Sequence, residues 1–128
     1  IPCNAPPWGK LTAIDLASRK IVWERPFGTT RDNAPLGIAI PGAPNIAGSV
    51  VTAGGVLFIG ASIDDYLRAF DEMTGKELWR GRLPAGGQAA PISYVGKDGR
   101  QYVVIAAGGH QMLKTKMGEY LVAYALPR

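Results

Sequence analysis

Five residues recur at one offset and fix what this chain can become. Leu11, Ala13, Asp15, Lys20 and Trp23 reappear as Leu67, Ala69, Asp71, Lys76 and Trp79, each 56 residues later. Both copies read as strand, tight turn, strand. Tyr66 to Phe70 is a short β-prone run. Met73, Thr74, Gly75 and Lys76 supply turn chemistry, with Gly75 free to take positive φ. Glu77, Leu78 and Trp79 begin the return strand. A third copy opens at Leu121, Ala123 and Ala125. A lone hairpin cannot bury its own faces, so neighbours must cover it. One hairpin per long period predicts a repeat array or propeller. Trp23 and Trp79 are accordingly expected to be largely buried, each against an adjacent sheet. The first copy has Ser18 and Arg19 where the second has Thr74 and Gly75. That leaves the geometry of its turn open.

Composition agrees with short strands. The 128 residues include 17 Gly and 10 Pro, which favours many turns over long helices. A hydrophobic content of 47% is enough for a core. The net charge of +4 is spread without any run of Lys or Arg, so it reads as solvated surface and not as a nucleic-acid footprint. Cys3 is the only cysteine, which rules out an internal disulfide or a Cys-based zinc site. Asn33 to Ile63 carries no charge, a length that would span a membrane. Pro35, Pro41 and Pro44 argue against a helix there. Buried strands on either side of Gly54 and Gly55 are the better reading. The chain opens at Ile1 without a Met or a signal segment, and is read as a piece of a longer protein.

Taken in order, residues 1–10 form an irregular, Pro-set lead-in that includes Trp8. Strands are predicted over 10–15 and 20–24. A long loop follows from Pro26 to Pro44, and loops of that length are usually functional or disordered. Four short strands over 49–53, 56–60, 66–70 and 77–81 make one propeller blade. Further strands are predicted over 92–95, 101–106 and 119–125. The expected organisation is a partial blade and loop over 1–48, a complete blade over 49–81 and an incomplete following blade over 82–128. No helix is predicted.

The pattern Ala-x-Asp-x-x-Thr-Gly-Lys-x-x-Trp over 69–79 resembles the tryptophan-docking motif of the quinoprotein dehydrogenases. These enzymes use pyrroloquinoline quinone (PQQ). The wider likeness runs through 3–9, 28–32, 52–61, 65–70, 81–89, 101–110 and 115–120. It resembles the membrane-bound glucose, quinate and shikimate dehydrogenase branch. The resemblance implies an all-β fold: the C-terminal blades of an eight-bladed β-propeller. It implies PQQ and calcium in the full-length enzyme, a sugar or cyclic-polyol substrate and ubiquinone as electron acceptor. It also implies a position on the periplasmic side of the bacterial inner membrane, with the anchor in an N-terminal part outside this chain. The alternative is a non-catalytic propeller of the outer-membrane assembly lipoprotein type, which binds proteins.

Three residues stand out as cofactor-binding candidates. His110, the only histidine, follows Gly108 and Gly109, where missing side chains allow close approach. The resemblance puts it near the cofactor and sugar pocket; otherwise it is an exposed loop residue. Asp64 can orient cofactor groups by charge-assisted hydrogen bonds, or cap a turn with Asp65. Trp8 packs near the cofactor end of the channel, or serves as an ordinary core or surface aromatic. Gln88 and Arg31 are weaker candidates. A triad drawn from Ser62 or Ser93 with His110 and Asp64 lacks a strained elbow motif. No catalytic residue and no metal ligand is expected in this chain; the resemblance puts the catalytic carboxylate and calcium ligands in earlier blades. Alone, the chain is expected to be inactive, to bind no cofactor and to associate through open strand edges.

Overall fold

A computed structural model describes residues 3–128; Ile1 and Pro2 of the irregular lead-in lie outside the described residues. The described residues are all-β, with nine strands in three antiparallel sheets and one short 3-10 turn at Pro35–Gly37. The first sheet pairs β1 (Lys10–Asp15) with β2 (Lys20–Pro26). The second is a four-stranded meander of β3 (Ser49–Val51), β4 (Val56–Ile59), β5 (Tyr66–Asp71) and β6 (Glu77–Arg82). The third joins β7 (Ile92–Val95), β8 (Gln101–Ala107) and β9 (Tyr120–Ala125). No helix among the described residues is long and apolar enough to cross a membrane.

The sheets pack face to face in chain order, and β5 explains how. Its four central residues are buried, because a sheet lies on each side of it. Leu67, with Phe58 of β4, packs against Val103 and Ile105 of the third sheet and Leu83 of the crossover. Phe70 and Ile59 pack on the other side with Phe27 and Leu11 of the first unit. Period-two alternation thus feeds two cores from one sheet. Phe27 and Phe70 meet edge to face, with centroids 6.1 Å apart.

The repeated hairpins are alike in detail. Each carries an irregularity one residue after its alanine, between Ala13 and Ile14 and between Ala69 and Phe70. Asp71 accepts hydrogen bonds from the amides of Met73 and Thr74 and from Thr74 Oγ1. Asp15 does the same for Ala17 and Ser18, and Ser18 Oγ replaces the threonine hydroxyl. The first turn therefore keeps its shape despite its sequence. Arg19 takes the left-handed position at φ 59°, where Gly75 sits at 70°.

The two tryptophans, both expected to be largely buried, sit differently. Trp23 is half-buried. Its indole Nε1 donates to Glu72 O at 2.8 Å, and its ring lies over Gly75, where a Cβ would stand 2.6 Å from Cδ2. Arg25 Nη1 donates to Gly75 O beside it. Trp79 is 39% exposed, which corrects the expectation. It meets Tyr124 edge to face at 4.9 Å and lines an open groove of about 1010 Å³ with Phe58 and Leu126. The reason lies in what covers each ring. Trp23 has the Gly75 turn of the next sheet against it, and no turn of the described residues lies against Trp79 in the same way.

Candidate functional site

Antiparallel pairing sends successive connections to opposite ends of each sheet. The docking turns occupy one end. The lead-in 3–9 and the connections 27–48, 60–65, 83–91 and 108–119 gather at the other. Backbone bonds lace them together: Trp8 N donates to Gly42 O at 2.7 Å and Gly42 N to Gly28 O at 2.9 Å. Further along, Ala61 N donates to Gly87 O and Gly109 N to Gly86 O, both at 2.8 Å. Trp8, Asp64 and His110 all stand at this end, each in a segment leading into the third strand of its repeat. Trp8 and Asp64 are themselves equivalent under the 56-residue offset.

Their settings differ. Trp8 is half-buried and its Nε1 donates to Asn4 O at 2.8 Å. Asp64 is 1% exposed and fully engaged in the interior. Arg68 grips it with two hydrogen bonds, at 2.8 Å to Oδ1 and 2.6 Å to Oδ2. The amide and hydroxyl of Thr29 both donate to Oδ2 at 2.8 Å. Arg68 lies between the rings of Phe27 and Tyr66, 5.7 and 5.2 Å from their centroids. A buried pair so fully satisfied holds two loops together. It gives Asp64 a structural task and no exposed surface to offer a ligand.

Asp65, next in sequence, was not singled out in the sequence. Its Oδ1 is buried without a hydrogen-bond partner, and its Oδ2 is 3.7 Å from Arg82. Burial, and then the nearby Asp32 carboxylate, push its carboxyl above the ordinary range. Asp32 is held below that range chiefly by Arg82, whose two terminal nitrogens each donate to it at 2.6 Å. This unpartnered carboxylate oxygen is a feature that only the fold reveals.

His110 is half-buried. Its Nδ1 accepts from Leu113 N at 3.4 Å, which leaves Nε2 as the ring's donor. Its backbone N donates to Thr115 Oγ1 at 2.7 Å. Gln88 accepts from Thr115 Oγ1 and donates to Ser62 O. Arg31 is exposed and donates to Tyr66 Oη at 2.7 Å. No serine triad forms: Ser62 is buried, Asp64 faces Arg68 and His110 Nδ1 faces Leu113. Among the described residues, no group of three or more His, Cys, Asp or Glu is placed to hold a metal.

Comparison with known proteins decides the family. Residues 1–103 match the PQQ family described as glucose/ethanol/alcohol dehydrogenase, beta-propeller domain. The chain belongs to this PQQ β-propeller family. Quinoprotein glucose dehydrogenase A of Acinetobacter calcoaceticus is 52% identical to this PQQ-family chain over 99% of its length. A probable quinate dehydrogenase (quinone) of Xanthomonas campestris pv. juglandis is 53% identical, again over 99%. The PQQ-family chain spans only 16% and 17% of those two proteins. Among solved structures, the quinohemoprotein alcohol dehydrogenase of Comamonas testosteroni aligns with a TM-score of 0.62 at 27% identity. That alignment covers 89% of this chain and 16% of the other. A europium-containing methanol dehydrogenase aligns at 0.60 and 34% identity, over 78% of this chain and 15% of the other.

Proposed function

We propose that the full-length protein is a PQQ-dependent dehydrogenase that oxidises glucose or a cyclic polyol such as quinate or shikimate. The observation that carries this reading is the 52–53% identity to quinoprotein glucose and quinate dehydrogenases, sustained over 99% of the chain. In this reading the loop end forms part of the wall of the cofactor and substrate site. Two features suit a quinone cofactor with acidic and carbonyl groups: the face of the Trp8 indole and the His110 Nε2–H donor. When bound, PQQ takes up the two electrons released as the alcohol becomes a carbonyl. His110 directs its Nε2–H at a hydroxyl or carbonyl oxygen, and Trp8 offers an apolar face. Asp64 serves by fixing Thr29 and Arg68 behind the loops.

This reading assigns calcium and the proton-abstracting carboxylate to earlier blades, outside these residues. Electrons pass to ubiquinone from the periplasmic side of the inner membrane, where a segment outside this chain anchors the enzyme. The 128 residues alone are inactive and bind PQQ weakly or not at all, because a propeller's axial site draws side chains from most blades. The open edges of the terminal sheets favour self-association at high concentration.

The test is His110→Ala in the full-length protein, assayed with a dye acceptor on glucose, quinate and shikimate. KM or substrate preference should shift by about tenfold, as for one lost hydrogen bond to substrate, with the melting temperature retained. Unchanged kinetics across the panel would remove His110 from the site.

A further inference from the structure

His110 is tied by a chain of hydrogen bonds to the loop before β5 in the second sheet. The chain of bonds starts at its backbone N, which donates to Thr115 Oγ1 at 2.7 Å. Thr115 Oγ1 donates in turn to Gln88 Oε1 at 2.9 Å. Gln88 Nε2 then donates to Ser62 O at 2.5 Å. Thr115 is 6% exposed and Ser62 fully buried, so the relay runs through the interior. It ends two residues before Asp64, in the segment that Asp64 and Thr29 clamp.

The chemistry of each link is selective. Gln88 must accept at one end of its side chain and donate at the other, which an amide does and a carboxylate does not. Thr115 must accept and donate through one hydroxyl. Gly86 leaves the room they need: a Cβ there would stand 2.5 Å from Thr115 Oγ1. The loop does not depend on this relay alone, since Gly86 N donates to Lys116 O and Gly109 N to Gly86 O. Loss of the relay should therefore loosen His110 without unfolding the blade.

We infer that Gln88 and Thr115 are positioning residues that fix the His110 backbone and through it place the imidazole for a substrate hydroxyl. The inference rests on the proposed role of His110 in the substrate site. It makes the seam between the second and third sheets a determinant of which polyol is accepted, through a residue that itself touches no ligand.

The experiment uses the full-length protein and two readouts. In the apo-protein, amide exchange of segment 108–118 is followed by mass spectrometry. Thr115→Val and Gln88→Met should exchange about tenfold faster there, with other segments unchanged, and Thr115→Ser should restore protection. With cofactor bound, Thr115→Val and Gln88→Met should raise KM about three- to tenfold with kcat little changed, and Thr115→Ser should behave as the parent. Should Thr115→Val fail to fold, Gln88→Met and Gln88→Glu carry the test. The relay is overturned if protection of 108–118 survives Gln88→Met, or if Thr115→Ser is as impaired as Thr115→Val. A His110→Asn control separates the two ideas. If it leaves KM unchanged while exchange responds to Gln88→Met, the site role of His110 falls and the relay remains a structural link. If it moves KM and the relay variants do not, the inference itself fails.

Discussion

Asp32 and Asp65 are adjacent carboxylates with opposite responses to pH. Asp32 is depressed by Arg82, so it contributes stability above its unfolded pKa of about 3.9 and loses it as pH falls through the lower folded value. Asp65 is raised by burial, so its charged form costs stability at neutral pH. That cost disappears as pH falls through its folded value toward about 4. Asp65→Asn should therefore melt at or above the parent at pH 7, with the advantage gone near pH 4. Arg82→Met should melt lower at pH 7 and lose the part of the acid limb that belongs to Asp32. Thermal melts between pH 2.5 and 7 test both; an Asp65→Asn protein that melts below the parent at every pH contradicts the uncompensated charge. Neither carboxylate's state could be read from the sequence. Asp32 and Arg82 are 50 residues apart, and only sheet packing joins them.

The hairpin is the element that the sequence described best. Strand positions could be read to within a residue or two, because turn chemistry and alternation are local properties. The turn at Ser18 and Arg19 also kept its form, since a serine hydroxyl bonds Asp15 as a threonine would. What local reasoning missed were contacts between loops: the Arg68 grip on Asp64, the orphan oxygen of Asp65 and the Gln88 relay. Each joins a loop to a strand or to another loop, and none has a periodicity to reveal it. The docking of Trp23 on Gly75 gives this element its own prediction. Gly75→Ala meets two costs, a side chain at φ 70° and a Cβ 2.6 Å from the Trp23 ring. Together these should cost about 2–4 kcal/mol. Denaturant melts and a red-shifted Trp23 emission would report it; a variant as stable as the parent, with unshifted emission, would show that the ring does not rest there.

At the scale of the molecule, three sheets share two cores, and the outer sheets leave Ile14, Ile21, Ile92 and Leu121 exposed. Trp79 is the most informative of the open positions. In the longer protein a turn after β9 should cover it. Acrylamide quenching with Trp8 and Trp23 replaced by Phe should fall severalfold between the 128-residue chain and the same variant in the full-length protein, as other tryptophans there are controlled by a Trp79→Phe subtraction. Equal quenching would sink the docking reading. The seat itself has a further consequence. The second repeat offers a bare glycine on which the first repeat's indole rests, a head-to-tail arrangement like that of monomers in a growing polymer. Here the forward indole, Trp79, is free, but the rear seat carries Arg19 where the next copy's ring would need to rest. The first hairpin's seat thus differs from the second's: the Arg19 side chain stands where Gly75 leaves room for the Trp23 ring.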